Sequence, residues 1–267
     1  MAKTIIVPLD GSEFAERALA TAHTLARQSG AELVLVTSRL GGIPESDSYL
    51  RSTAQTAGME SARIVVFEDR LADAAIATVA EDEPDALVCM TTHARDGLGE
   101  AVFGSVTERV MRRTKVPLVL VGPSLTDAGA CTFEELIVCL DGSHTAAEIL
   151  PSAALVARDL DIPIFLVDVV VPDADRGDGT GDSDTLESAP LQRAARVLDG
   201  SGVAVSWDVL HGEDPASSIV DLAATRRAPL LAMTTHGRTG LARVTAGSVT
   251  MSVVQHAPCP VLLRRAR

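Results

Sequence analysis

The sequence is short of aromatic residues, of cysteine pairs, of positive charge and of long apolar runs. Aromatics make up 3 % of 267 residues, with one Trp and one Tyr, while hydrophobic residues reach 46 %. The core must therefore be built from Val, Leu, Ile and Ala, a composition that suits parallel sheets covered by helices. Cys89, Cys131, Cys139 and Cys259 are scattered without a C-x-x-C pair, which speaks against a local zinc or redox motif. Buried, reduced thiols in a cytoplasmic protein are the expectation. Lys and Arg number 23 against 36 Asp and Glu, a formal net charge of −13, which argues against nucleic acid or an anionic membrane surface as a partner. No apolar run approaches about 18 residues and no basic and apolar leader pattern is present, so neither a membrane span nor export is expected.

What is present is a repeat. Met90 to Thr107 (MTTHARDGLGEAVFGSVT) and Met233 to Thr250 (MTTHGRTGLARVTAGSVT) match at 11 of 18 positions without a gap. The offset of 143 holds through His93 and His236, Ser105 and Ser248, and Pro117 and Pro260. A single repeat at so long a spacing is no solenoid unit; it indicates two homologous domains. We place them at residues 1–123 and 133–267, with 124–132 a linker of turn formers. In each repeat an apolar strand runs into a glycine-punctuated loop and then a helix start at Gly-Ser. Glycines permit close backbone approach, and a helix N-terminus presents unpaired donors with about half a positive charge, so the arrangement suits phosphate.

Around that stretch each half reads as five strands alternating with about four helices, which predicts a parallel sheet with right-handed crossovers. Thr4–Leu9 runs into Asp10-Gly11-Ser12, with Ser12 the expected N-cap of one helix that carries apolar positions over 14–26 and ends at Gly30. Glu135–Leu140 runs into Asp141-Gly142-Ser143 in the same way. Residues 39–62 leave room for at most one helix. Ser105 and Glu108 fit a capping box at the last helix of the first half. Pro172–Pro190 holds six acids against Arg176 and reads as a mobile loop; its acids miss the spacing of a calcium loop. Asp10 and Asp141 read equally as ligands of nucleotide or Mg²⁺ and as turn residues. His93 and His236 read as backbone-orienting rather than catalytic, and no catalytic residue is assigned. His211 reads as a strand exit.

The P-x-D-G-S-like turn, the T-H-G-R-x-G loop and the G-S-V-T helix start together resemble the universal stress protein family in its tandem-domain form. The resemblance implies two open-twisted five-stranded parallel sheets in the order 3-2-1-4-5, an adenine nucleotide alpha hydrolase-like, Rossmann-like α/β fold. It also implies ATP, with or without Mg²⁺, bound through a G-x-x-G-(nine residues)-G-[S/T] pattern. That order sets the ends of strands one and four side by side at a topological switch point. By analogy Leu140, Asp141, Val169 and Met233 serve the ribose and base. Gly237, Arg238, Gly247, Ser248, Val249 and Thr250 serve the phosphates, Thr234 and His236 complete the cofactor-binding set, and Asp141 is the candidate contact for Mg²⁺. The weaker first-domain set is Leu9, Asp10, Met90, His93, Arg95, Gly104, Ser105, Val106 and Thr107.

The pattern's first glycine is Thr in both halves, Thr91 and Thr234, and its second is Ala94 in the first half but Gly237 in the second. Arg238 and Arg243 stand without an acid, whereas Arg95 faces Asp96 and Glu100, so the second site is expected to be the better for a triphosphate. The expected function is a nucleotide-binding stress or regulatory protein with unidentified protein partners. A nucleotide-free scaffold is the alternative, and slow ATP hydrolysis a third reading. The last strands of the halves are expected to pair as an intramolecular pseudo-dimer, which leaves room for a further homodimer.

Overall fold

The computed structural model describes residues 3–41, 45–92, 103–125, 132–172, 183–235 and 246–266. Contacts divide the chain into two units, Met1–Thr132 and Phe133–Arg267. The first runs β1 (Thr4–Pro8), α1 (Glu13–Glu16), α2 (Ala18–Ser29), β2 (Glu32–Ser38), α3 (Ser46–Thr56), β3 (Arg63–Phe67), α4 (Ala72–Asp82), β4 (Ala86–Thr91), α5 (Ser105–Arg113) and β5 (Leu118–Val121). Its strands lie in the order β3-β2-β1-β4-β5, and the pairs from β3 through β5 are parallel. The second runs β6 (Glu135–Leu140), α6 (His144–Ala147), α7 (Leu150–Leu160), β7 (Ile164–Val170), α8 (Ser183–Leu198), β8 (Val205–His211), α9 (Pro215–Thr225), β9 (Pro229–Thr234), α10 (Ser248–His256) and β10 (Val261–Arg264). It has the same parallel order, β8-β7-β6-β9-β10. Each sheet is thus 3-2-1-4-5.

The central strands are continuous apolar runs because helices cover both of their faces. Every residue of β4 and of β9 is buried, and Ile6, Val88, Leu136 and Leu231 have no accessible surface. Each such side chain contributes about 1.5–3 kcal/mol, so an acid at Ile6 or Leu136 would break its unit. Gly11 and Gly142, at φ 81° and 75°, occupy the left-handed region that favours glycine. They let the chain turn from β1 and β6 into the first helix. Ser12 and Ser143 then cap those helices, accepting from Ala15 N–H at 3.1 Å and Ala146 N–H at 3.0 Å.

Three local expectations change. The helix expected over 14–26 is two, because α1 ends at Arg17 before α2 begins. The corresponding break in the second unit has a proline just inside α7, Pro151, which lacks the N–H for a continuing helical bond. The capping box fails, because Gly104 is the N-cap of α5 and Ser105 is its first helical residue. Finally, the second half of the acidic insertion is helical. Leu191, Ala194 and Leu198 recur at helical spacing and are buried, anchoring α8 on β7 and β8, and Pro190 lies inside the helix.

One buried charge is peculiar to the first unit. Asp73 of α4, only 1 % exposed, lies 3.2 Å from Arg109 Nε and 3.1 Å from Arg113 Nε of α5. None of these contacts is directed well enough to count as a hydrogen bond for the carboxylate, so the attraction is mainly coulombic. At the same repeat offset the second unit has Ala216, Ser252 and His256.

Candidate functional site

The site is built where β9 gives way to α10. Gly247 N–H donates to Thr235 C=O at 2.6 Å, and the Thr250 hydroxyl donates to Thr234 C=O at 3.0 Å. These two bonds pin the helix start to the strand end. Gly247 is the N-cap and offers no side-chain cap, while its C=O accepts the first helical bond, from Met251 at 2.9 Å. The N–H groups of Ser248, Val249 and Thr250 therefore stand at the helix N-terminus with no intrahelical acceptor. Ser248 is not the cap, which corrects one of its two sequence readings. Gly247 has φ −67°, and among the described residues an added Cβ would meet only Thr235 C=O, at 3.7 Å. The backbone does not need glycine here.

Beside that helix start opens a cleft of about 670 Å³. Leu140, Asp141, Val169, Met233, Thr234, Gly247, Ser248, Val249 and Thr250 all line it, so the sequence-derived second-domain residues that can be placed converge on one crevice. Asp141 also serves its turn: its Oδ1 accepts from Ser143 N–H at 3.0 Å and Ser143 Oγ–H at 2.5 Å. His236, Gly237, Arg238 and Arg243 lie outside the described residues.

Sequence reasoning missed two parts of this cleft. Asp168, 5 % exposed, lines it from β7; the signal was an acid inside an otherwise apolar strand. From α8 come Leu186, Glu187 and Pro190. Glu187 Oε2 is 3.0 Å from His211 Nε2, so the strand exit at His211 fastens the helix that borders the cleft. Among the described residues no group of three or more His, Cys, Asp or Glu is arranged to hold a metal ion.

The first unit repeats the construction on a smaller scale. Gly104 N–H donates to Thr92 C=O at 2.7 Å, and the Thr107 hydroxyl donates to Thr91 and Thr92 C=O at 3.3 and 3.1 Å. Leu9, Asp10, Met90, Gly104, Ser105, Val106 and Thr107 line a cleft of about 110 Å³. His93 and Arg95 lie outside the described residues. Asp10 Oδ1 holds Ser12 as Asp141 holds Ser143. Two hydroxyls on β2 line this cleft and bond across it: Thr37 donates to Leu9 C=O at 2.6 Å, and Ser38 donates to Arg70 C=O, tying the end of β2 to the approach to α4. The register of Leu140 with Asp168 on β6 and β7 makes Asp168 and Val169 the counterparts of Thr37 and Ser38. Neither has a hydroxyl to make those bonds.

A family model described as the universal stress protein family matches the chain twice, over residues 1–122 and 132–265. The chain belongs to the universal stress protein family. A universal stress protein of Methanocaldococcus jannaschii is 29 % identical over 148 residues, 52 % of this chain and 86 % of that protein. A universal stress protein of Synechocystis is 40 % identical over 73 residues, 27 % of this chain and 47 % of its own length. The fold is similar to the crystal structure of a universal stress protein from Archaeoglobus fulgidus, with TM-score 0.64 and 20 % identity over 99 % of both chains. Two universal stress modules in tandem account for the repeat, and no helix among the described residues is long and apolar enough to cross a membrane.

Proposed function

We propose that this tandem universal stress protein binds ATP, or another adenine nucleotide, in its second domain, as a regulatory ligand that changes affinity for a protein partner in the cytoplasm. The observation that carries this reading is the contrast between the clefts. At about 670 Å³ the second falls within the roughly 300–1,000 Å³ of small-molecule sites, whereas the first, at about 110 Å³, falls below it. The donors at Ser248, Val249 and Thr250 would take the phosphates, with the helix dipole favouring negative charge there. Asp141 would take the ribose, and Leu140, Val169 and Met233 would border the base. With no preformed metal site among the described residues, Mg²⁺ is read as a companion of the phosphates, with Asp141 as its candidate contact.

One observation favours the nucleotide-free scaffold instead. Thr234, where the family pattern has glycine, is 4 % exposed at the end of β9. Denaturing protein purified without added ligand and measuring released nucleotide by chromatography, beside a Mg-ATP titration, separates the readings. About one nucleotide per chain is expected. Two would refute the asymmetry between domains, and none, with no titratable binding, would establish the scaffold. Phosphate released during the titration would expose turnover.

A further inference from the structure

We propose that Asp168 is a specificity-determining residue of the second cleft: its carboxylate accepts a hydrogen bond from the exocyclic 6-amino group of the base, selecting a 6-aminopurine over a 6-oxopurine. The inference rests on the reading of this cleft as a nucleotide site.

Position comes first. Asp168 stands on β7, and β6 separates it from β9, whose end carries the start of α10. Two strand spacings set it about 10 Å from that phosphate-accepting end, a gap that a nucleoside spans. Charge assigns the ends. The helix N-terminus attracts anions, whereas the described charged residues lining the cleft are Asp141, Asp168 and Glu187, all acids. Phosphates are repelled from the β7 side, which leaves it to the uncharged base.

Chemistry then selects among bases. At the corresponding place in the first unit, the Thr37 hydroxyl donates to Leu9 C=O. An ionised carboxylate only accepts, through about four lone-pair sites, so Asp168 complements a ligand donor and opposes a ligand acceptor. Buried to 5 % exposure, it forms a charge-assisted bond with an N–H that reaches it. A 6-amino group supplies that donor. A 6-oxo group sets an acceptor against a carboxylate that is only 5 % exposed, and sites built around a buried polar group discriminate strongly against the mismatched analogue.

The test is calorimetric titration of Mg-ATP and Mg-ITP, which differ at the 6-position and in the protonation of N1, into the full chain, its Asp168→Asn variant and its Asp168→Thr variant. Circular dichroism melts verify folding. The wild type is expected to prefer ATP at least tenfold. Asn, which can present either its oxygen or its amide to the base, should bring the ratio within about threefold at an unchanged melting temperature, and Thr, the residue of the first unit, should do likewise. Equal binding of ATP and ITP by the wild type, or a ratio that survives in both variants, would overturn the role of Asp168 and leave the nucleotide reading standing. A wild type that binds neither overturns both.

Discussion

Gly247→Ala separates a glycine required by the fold from one required by a ligand. With φ −67° and ψ 158°, position 247 is open to any residue. Among the described residues the new methyl would find only the Thr235 carbonyl, at ordinary contact distance, 3.7 Å. Two small effects then nearly cancel in stability. Replacing Gly by Ala at an N-cap costs about 0.5–1 kcal/mol, and the stiffer unfolded chain returns about 0.4–1 kcal/mol. A net change within about 0.5 kcal/mol moves the melting temperature of a unit this size by only about 2 °C. Binding should respond differently, because Gly247 lines the cleft beside the donors of Ser248 and Val249. A methyl that holds a phosphate off one such donor forfeits a charge-assisted hydrogen bond of about 2 kcal/mol, roughly thirtyfold in Kd. Calorimetric titration with Mg-ATP and a thermal melt of the same samples read both quantities. Affinity within threefold of wild type at an unchanged melting temperature would refute the assignment of phosphate to the α10 N-terminus. A fall of more than about 6 °C would refute the backbone reasoning.

Two further predictions concern buried groups. Removing both guanidinium groups from Asp73, as Arg109→Ala with Arg113→Ala, strands a carboxylate that is 1 % exposed and should cost about 2–4 kcal/mol at pH 7. Adding Asp73→Ala should restore part of that loss in urea denaturation, and a triple variant no more stable than the double would show that the charge is not the cause. Cys89, Cys139 and Cys259 are buried, and burial pushes the Cys259 thiol from near 9 up to about 12. The native chain should therefore offer at most one fast thiol, Cys131, to a disulfide reagent at pH 8. Because these thiols stay neutral in the fold, their contribution to stability is intact below about pH 9 and is lost as pH rises towards 12. Fast reaction of two or more thiols without denaturant would contradict the burial.

The strands and their parallel pairing were legible because central strands buried on both faces must be continuous apolar runs, and the repeat at offset 143 doubled each signal; their order was implied by the family resemblance. The convergence of Leu140, Asp141, Met233 and Gly247 on one crevice was implied by the family resemblance and the strand order that it carries. Other features depended on tertiary partners that local sequence does not carry. Ser105 has the chemistry of an N-cap, but the bond from Gly104 N–H to Thr92 C=O starts the helix one residue earlier. The acids and glycines of 172–190 hide the register of Leu191, Ala194 and Leu198, which becomes decisive only where β7 and β8 offer an apolar floor. Asp168 was passed over as a strand residue, since a pattern read along one chain segment does not reveal which cleft that strand borders. The hydroxyl bonds of Thr37 and Ser38, made in the first cleft and without a counterpart in the second, were equally out of sight, since their partners lie 28 and 32 residues away.

The scarcity of aromatics gives each unit its own optical label. The only tyrosine, Tyr49, sits on α3 of the first unit, its hydroxyl 2.8 Å from Glu16 Oε1. The only tryptophan, Trp207, sits on β8 of the second, 39 % exposed and four residues before the His211 that holds α8. Tryptophan emission excited at the red edge reports the second unit alone, while tyrosine absorbance changes report the first. A single denaturation series on unlabelled protein thus follows each module by its own colour, and a ligand that displaces one curve without the other shows which module it stabilises.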